Sequence, residues 1–208
     1  MNKLLLMISI SFFYFQSCTS NSYERNHLNK SISKRGANKI SDSLEIKANR
    51  LKEAYKKNDY STFLITFPNS FTEFSDLYDY NEEKGEKLLY SVYEKHISFL
   101  FDSVGSREKQ LCSKAFNIAS QGKWDADAVG YFQNKLSELI KNKPNSLIEL
   151  LSSKSLEAIN NFWFFIFDGS SSNDIQIKEL FNNIYLKINS IDKKQGSLLY
   201  KKFNEMYK

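Results

Sequence analysis

The stretch Leu88-Leu89-Tyr90-Ser91-Val92-Tyr93-Glu94-Lys95-His96-Ile97-Ser98-Phe99-Leu100-Phe101 decides the fold. Its apolar members Leu88, Leu89, Val92, Tyr93, His96, Ile97, Leu100 and Phe101 advance by alternating steps of one and three. That spacing places them on one face of an α-helix. The same rhythm recurs outward in both directions: Leu44, Ala48, Leu51 and Tyr55 before it, then Val129, Phe132, Leu136, Leu139 and Ile140 after it. Ile177, Leu180, Phe181, Ile184, Tyr185 and Ile188 repeat it, and Leu199, Phe203 and Met206 close the chain. Pro68 and Pro144 fall at breaks between periodic runs, where a missing N–H does least harm. Ser41, Ser106 and Asn173 stand where N-caps are expected. Phe63, Ile65 and Phe67 alternate like a strand, but no partner strand is in sight, so Tyr60–Phe67 reads as a short helix. The expectation is an all-α, single-domain bundle of seven to nine helices over residues 41–208.

Asn161-Phe162-Trp163-Phe164-Phe165-Ile166-Phe167 is apolar on every side, as a helix through the middle of a core would be. A docking patch is the competing reading of that run. Cys112 lies in the stripe Leu111-Cys112-x-x-Ala115-Phe116-x-x-Ala119 and reads as a small buried hydrophobe rather than a reactive thiol.

The amino terminus has a different grammar. Lys3 supplies a positive start, Leu4 to Phe15 form a twelve-residue apolar run, and Gln16, Ser17 and Cys18 follow. A membrane span needs about twenty apolar residues, so this run reads as a cleaved signal, residues 1–17, rather than a span. Phe15-Gln16-Ser17-Cys18 resembles the lipobox of bacterial lipoproteins. Ser17 and Cys18 match that family most closely. Phe15 stands where that family usually has Leu and Gln16 where it usually has a small residue, a looser version that resembles those of Bacteroidetes-type lipoproteins. The resemblance implies that Cys18 is the lipid-attachment residue. It also implies an outer-membrane address facing the periplasm, because Thr19 follows the cysteine and no acidic run comes next. With Cys18 acylated, Cys112 has no partner for an intrachain disulfide.

The formal net charge of +5 would ordinarily point to nucleic acid or a membrane surface. Its location removes that inference for the body of the chain. Residues 1–40 hold Lys3, Arg25, Lys30, Lys34, Arg35 and Lys39 against Glu24, and the remainder has 23 basic and 23 acidic residues. A neutral body loses the electrostatic support that nucleic-acid binding needs. Residues 18–40 read as the lipidated cysteine and a flexible basic tether, whose reach is about 25 Å for a coil of that length. Its basic side chains would each gain roughly 1 kcal/mol near anionic headgroups, or serve only as a solvated leash.

Catalytic vocabulary is sparse. His27 lies in the tether and His96 on an apolar helical face, where a satisfied core histidine is the reading. No Gly-rich phosphate loop, nucleophile elbow, His-Glu-x-x-His or paired-cysteine site is present. Asp79, Glu82, Glu83 and Glu86 are read as the solvated first turn of the helix running to Phe101, and Asp125 and Asp127 likewise. Asp168-x-Ser170-x-Ser172-Asn173-Asp174-Ile175, with Glu179, fits an EF-hand frame loosely, but Asn173 occupies the turn position that needs Gly. That loop reads as a helix connection.

Three segments together resemble helical proteins of Bacteroidetes-type bacteria. They are Phe67-Pro68-Asn69-Ser70-Phe71-x-x-Phe74-x-x-Leu77-Tyr78-x-Tyr80, Leu89-Tyr90-x-x-Tyr93-Glu94-x-His96-Ile97, and Phe162-Trp163-x-Phe165-x-Phe167-Asp168-Gly169. That resemblance implies fold and habitat, without activity or site residues. The functional expectation is therefore a lipid-anchored, non-enzymatic protein-interaction module, with an immunity-type protein as one form. No cofactor and no metal are expected. The partners expected are a membrane, through the lipid, and a protein. Two alternatives stand beside it: an envelope hydrolase with paired carboxylates such as Asp125 or Asp127, and a small-ligand carrier with an apolar cavity behind Phe162–Phe167.

Overall fold

The computed structural model describes residues 42–81, 85–169 and 175–208. Cys18, the signal and tether segments, and the Ser41 and Asn173 cap positions lie outside the described residues, as do Glu82, Glu83 and most of the EF-hand-like loop. The fold is all-α and multi-helical. Helix α1 covers residues 42–56, followed by α2 (Tyr60–Thr66) and α3 (Phe71–Tyr78). A two-residue antiparallel pair, β1 (Tyr80–Asn81) and β2 (Gly85–Glu86), leads into α4 (Tyr93–Asp102). Then come α5 (Glu108–Ala119), α6 (Ala128–Asn142), α7 (Pro144–Leu151), α8 (Leu156–Phe167), α9 (Ile175–Ile191) and α10 (Lys193–Met206). The alternating Phe63-x-Ile65-x-Phe67 segment is helical, as its lack of a strand partner requires.

Ten α-helices among the described residues exceed the seven to nine expected. Connections as short as Lys143, between α6 and α7, and Asp192, between α9 and α10, divide longer runs. Local chemistry marks these ends. Asp59 accepts from Thr62 N at 3.0 Å, Ser70 from Glu73 N at 3.2 Å, and Ser155 from Ala158 N at 3.2 Å. Asp192 accepts from both Lys194 N and Gln195 N. Each occupies an amide that the first helical turn leaves without an internal partner. Ser70 and Glu73 approximate a capping box, since the Glu73 carboxylate also reaches back to Asn69 N at 3.0 Å. Pro144 is the first residue of α7, where its absent N–H costs nothing. Ser106 does not cap a helix: it sits inside a 3₁₀ turn, and α5 starts two residues later without a side-chain cap.

Helix α8 lies at the centre, against α5, α6 and α10. Phe162, Trp163, Phe165, Ile166 and Phe167 are all buried, which bears out the core reading. Phe162 stacks on Phe116 with centroids 5.3 Å apart, and Phe167 meets Phe203 edge-on at 5.2 Å. Phe164 is the exception: it is 36% exposed, with the Lys202 ammonium 5.3 Å from its ring. The carboxyl end of α8 carries no helical cap, so its last carbonyls need other donors. Gln133, itself buried on α6, donates its Nε2 to Phe165 O, Ile166 O and Asp168 O at 2.5, 3.2 and 2.9 Å. The Tyr207 hydroxyl donates to Phe167 O.

Leu88–Phe101 is not one continuous helix, and the acids before it are not its first turn. Its helix begins at Tyr93, not near Asp79. Leu89 N donates to Leu77 O, and Tyr90 N and Val92 N make short i→i−3 bonds, so Leu88–Val92 is turn and 3₁₀. Leu89 reaches the core through that turn, while Leu88 is 42% exposed. Upstream, Tyr80–Asn81 pairs antiparallel with Gly85–Glu86, and Gly85 adopts φ +76°, a region side chains disfavour.

Candidate functional site

Asp79 caps the end of α3 and Glu86 lies in β2, so neither complements the dipole of a following helix. Asp79 accepts from the Ser75 hydroxyl. Burial raises its proton affinity above the ordinary carboxylate value, and the nearby charges of Asp125 and Asp127 raise it further. Asp125 turns back on its own loop, accepting from Ala126 N at 2.8 Å. Asp127 precedes α6 at φ +53° and, instead of capping it, accepts from the Tyr90 hydroxyl at 2.8 Å. Asp79 thus shares one neighbourhood with Asp125 and Asp127, more than forty residues further along the chain.

His96 is 1% exposed, with Nδ1 3.0 Å from the Tyr78 hydroxyl and Phe63, Tyr55 and Tyr78 rings around it. Burial, with the Lys52 charge adding, pulls its pKa down to about 4. It is a neutral, satisfied core histidine. Cys112 is buried, and burial pushes its thiol up to about 11, so it behaves as the small hydrophobe its stripe suggested. Asp168 is committed to the loop before α6, accepting from Trp124 N at 2.8 Å. Among the described residues no group of three or more His, Cys, Asp or Glu could hold a metal ion. No described helix is long and apolar enough to cross a membrane.

Gly169 belongs to the same contact. It sits at φ +91°, and a Cβ there would come within 2.3 Å of the Trp124 ring. Gly169→Ala is expected to cost at least about 2 kcal/mol, from the left-handed backbone and the displaced indole. Thermal melting checks this, and Trp124 emission should shift with it.

What sequence inspection missed is a strip of aromatic side chains assembled from α1, the β1–β2 pair, the 3₁₀ turn before α4, α4 and α6. Tyr80 and Tyr90 have centroids 5.7 Å apart, Tyr90 and Tyr93 5.8 Å, and Tyr93 and Tyr131 6.0 Å. Tyr131 exchanges a 2.8 Å hydrogen bond with Ser98. Beyond it opens a shallow groove of about 370 Å³, walled by Tyr55, Glu94, Lys95, Ser98, Phe99, Asp102 and Tyr131. Tyr55 meets Phe99 edge-on at 5.3 Å. The phenols are tied to acids: Tyr90 to Asp127, and Tyr93 to Glu94 at 3.4 Å. The bond to Asp127, first among several causes, holds the Tyr90 hydroxyl up to about 12. Lys135 pairs with Asp102 at 3.3 Å. No described lysine or arginine lies within ion-pair distance of Glu86, Glu94, Asp125 or Asp127.

Behind α8, where a ligand carrier would keep an apolar cavity, the recess is about 130 Å³. It is lined by Gln133, Asn134, Ser137, Asp168 and Gln176 as well as Ile166, Ile177 and Leu180. No protein-family model, no curated protein and no solved structure matches this chain.

Proposed function

We propose that this chain is a lipid-anchored protein-binding module of the cell envelope, acylated at Cys18 and facing the periplasm from the outer membrane. The anchor rests on Phe15-Gln16-Ser17-Cys18 and the short apolar run before it. One observation carries the binding role: the tyrosine strip and its groove, half-exposed aromatic surface bordered by carboxylates. Tyrosine suits recognition because it buries a large rigid ring while its hydroxyl still hydrogen-bonds. Neutralising a protein that arrives in the envelope, an immunity-type role, is a form of this function; it needs binding and no reacting group.

The test has two arms in cells. Incorporation of labelled fatty acid should be present in the native chain and lost in Cys18→Ala. A photo-crosslinking phenylalanine analogue at Tyr93 should form a discrete adduct with an envelope protein, and the same analogue at exposed Leu186, on α9, should not. No labelling removes the anchor. No adduct at Tyr93, or equal adducts at both positions, removes the binding surface.

A further inference from the structure

The groove has a charge that the whole chain does not. The formal total is +5, so a cationic ligand gains nothing from the net field. Around the strip the balance reverses. Glu86, Glu94, Asp125 and Asp127 lack a described basic partner; among the described residues of the groove wall Lys95 is the one cation, and Lys87 and Lys135 beside the strip are already paired with Asp76 and Asp102. Asp102 adds a fifth carboxylate, already shared with Lys135. These acids are interleaved with π faces. Tyr90 donates to Asp127 and Tyr93 to Glu94, so these two phenols carry a carboxylate at the hydroxyl end, which enriches their rings in electron density.

Resting on the binding role proposed above, we infer that the occupant of this groove is an arginine-bearing cationic segment of a protein partner. A guanidinium is planar: it lies flat on a tyrosine face while its N–H fork reaches a neighbouring carboxylate. Tyr55, Phe99 and Tyr131 supply the faces, with Glu94 within the same wall. Tyr90 with Asp127 repeats the pairing further along the strip. Lysine satisfies the charge but not the stacking, and an acidic segment is repelled. The groove is open and shallow, which suits an extended segment better than an enclosed small molecule.

The test uses the full chain in detergent and three fluorescein-labelled nonapeptides alternating glycine with arginine, lysine or glutamate. Fluorescence anisotropy should rank arginine over lysine over glutamate, with arginine at least about tenfold tighter than glutamate. Binding should weaken as salt rises. Glu94→Lys should weaken the arginine peptide about tenfold. Tyr55→Leu should also weaken it, and Tyr55→Phe, which keeps the π face, should not. Circular dichroism checks that each variant retains its helices. Arginine binding no tighter than glutamate, or binding indifferent to both Glu94→Lys and Tyr55→Leu, overturns the inference. If that happens while the Tyr93 crosslink persists, the surface binds a partner of other chemistry and the proposed function stands. If the crosslink is absent too, both fall.

Discussion

Phe165→Ala should lower the melting temperature by roughly 10 °C, whereas Phe164→Ala, its chain neighbour, should leave it almost unchanged. Phe165 is 0% exposed and its ring meets Phe132 and Phe71, each about 6.4 Å away between centroids. The ring also fills the space over Gly122, where an added Cβ would come within 2.7 Å of it. Removing it leaves a void that α3, α6 and the turn at Gly122 cannot collapse into together. Buried Phe→Ala costs about 3–5 kcal/mol, and each kcal/mol is worth about 2–4 °C in a domain of this size. Phe164 forfeits only a partly exposed ring under Lys202, within about 1 kcal/mol. Thermal unfolding of both variants decides it. Equal losses would mean that α8 is not oriented as described.

Stability should also fall as pH drops from about 6.5 towards 4, because of His96. Its pKa is about 4 in the fold against an ordinary value near 6.5. Between those values the unfolded chain binds a proton that the folded chain refuses. Stability therefore rises with pH across this window, is complete above about 6.5, and stops falling on this account below about 4. The gap corresponds to about 3 kcal/mol, a large part of the 5–15 kcal/mol typical of a domain. The cause is physical enclosure: aromatic rings of Tyr55, Phe63 and Tyr78 offer the imidazolium no counter-charge, and Lys52 repels it. Urea unfolding at pH 7, 5.5 and 4.5 measures the slope. His96→Gln, which can still hydrogen-bond the Tyr78 hydroxyl, should start less stable and show a flatter slope. Parallel slopes for the two chains would assign the acid sensitivity to other groups. Asp79, whose proton affinity is raised in the fold, contributes with the opposite sign.

The core residues could be read beforehand because helical spacing reports burial directly: Ile97, Leu100, Phe132, Leu136, Ile184 and Leu199 are all buried. The strand-like Phe63-x-Ile65-x-Phe67 was decidable by the lack of a partner. The start of α4 was not. Leu89 is buried through a hydrogen bond from its amide to Leu77 O, and a turn can keep an apolar residue in step with a helix it does not belong to. The acids before it looked like a first helical turn for the same reason. The N-caps that form, Asp59, Ser70, Ser155 and Asp192, are among many Ser and Asp residues of the chain, and only helix geometry distinguishes them.

From sequence alone come the all-α class, the central helix Phe162–Phe167, the neutral body, and the lipobox-like segment that motivates the anchor. All are local or periodic properties, set by neighbours along the chain. The candidate surface is different in kind. Tyr55, Tyr90 and Tyr131 are far apart in sequence, and Asp127 meets Tyr90 across 37 positions. No spacing rule links them, because their proximity depends on how α1, α4 and α6 pack. Tertiary structure alone decides that tyrosines and carboxylates without a described basic partner share one face, since burial of the opposite helix faces determines which side chains remain outside.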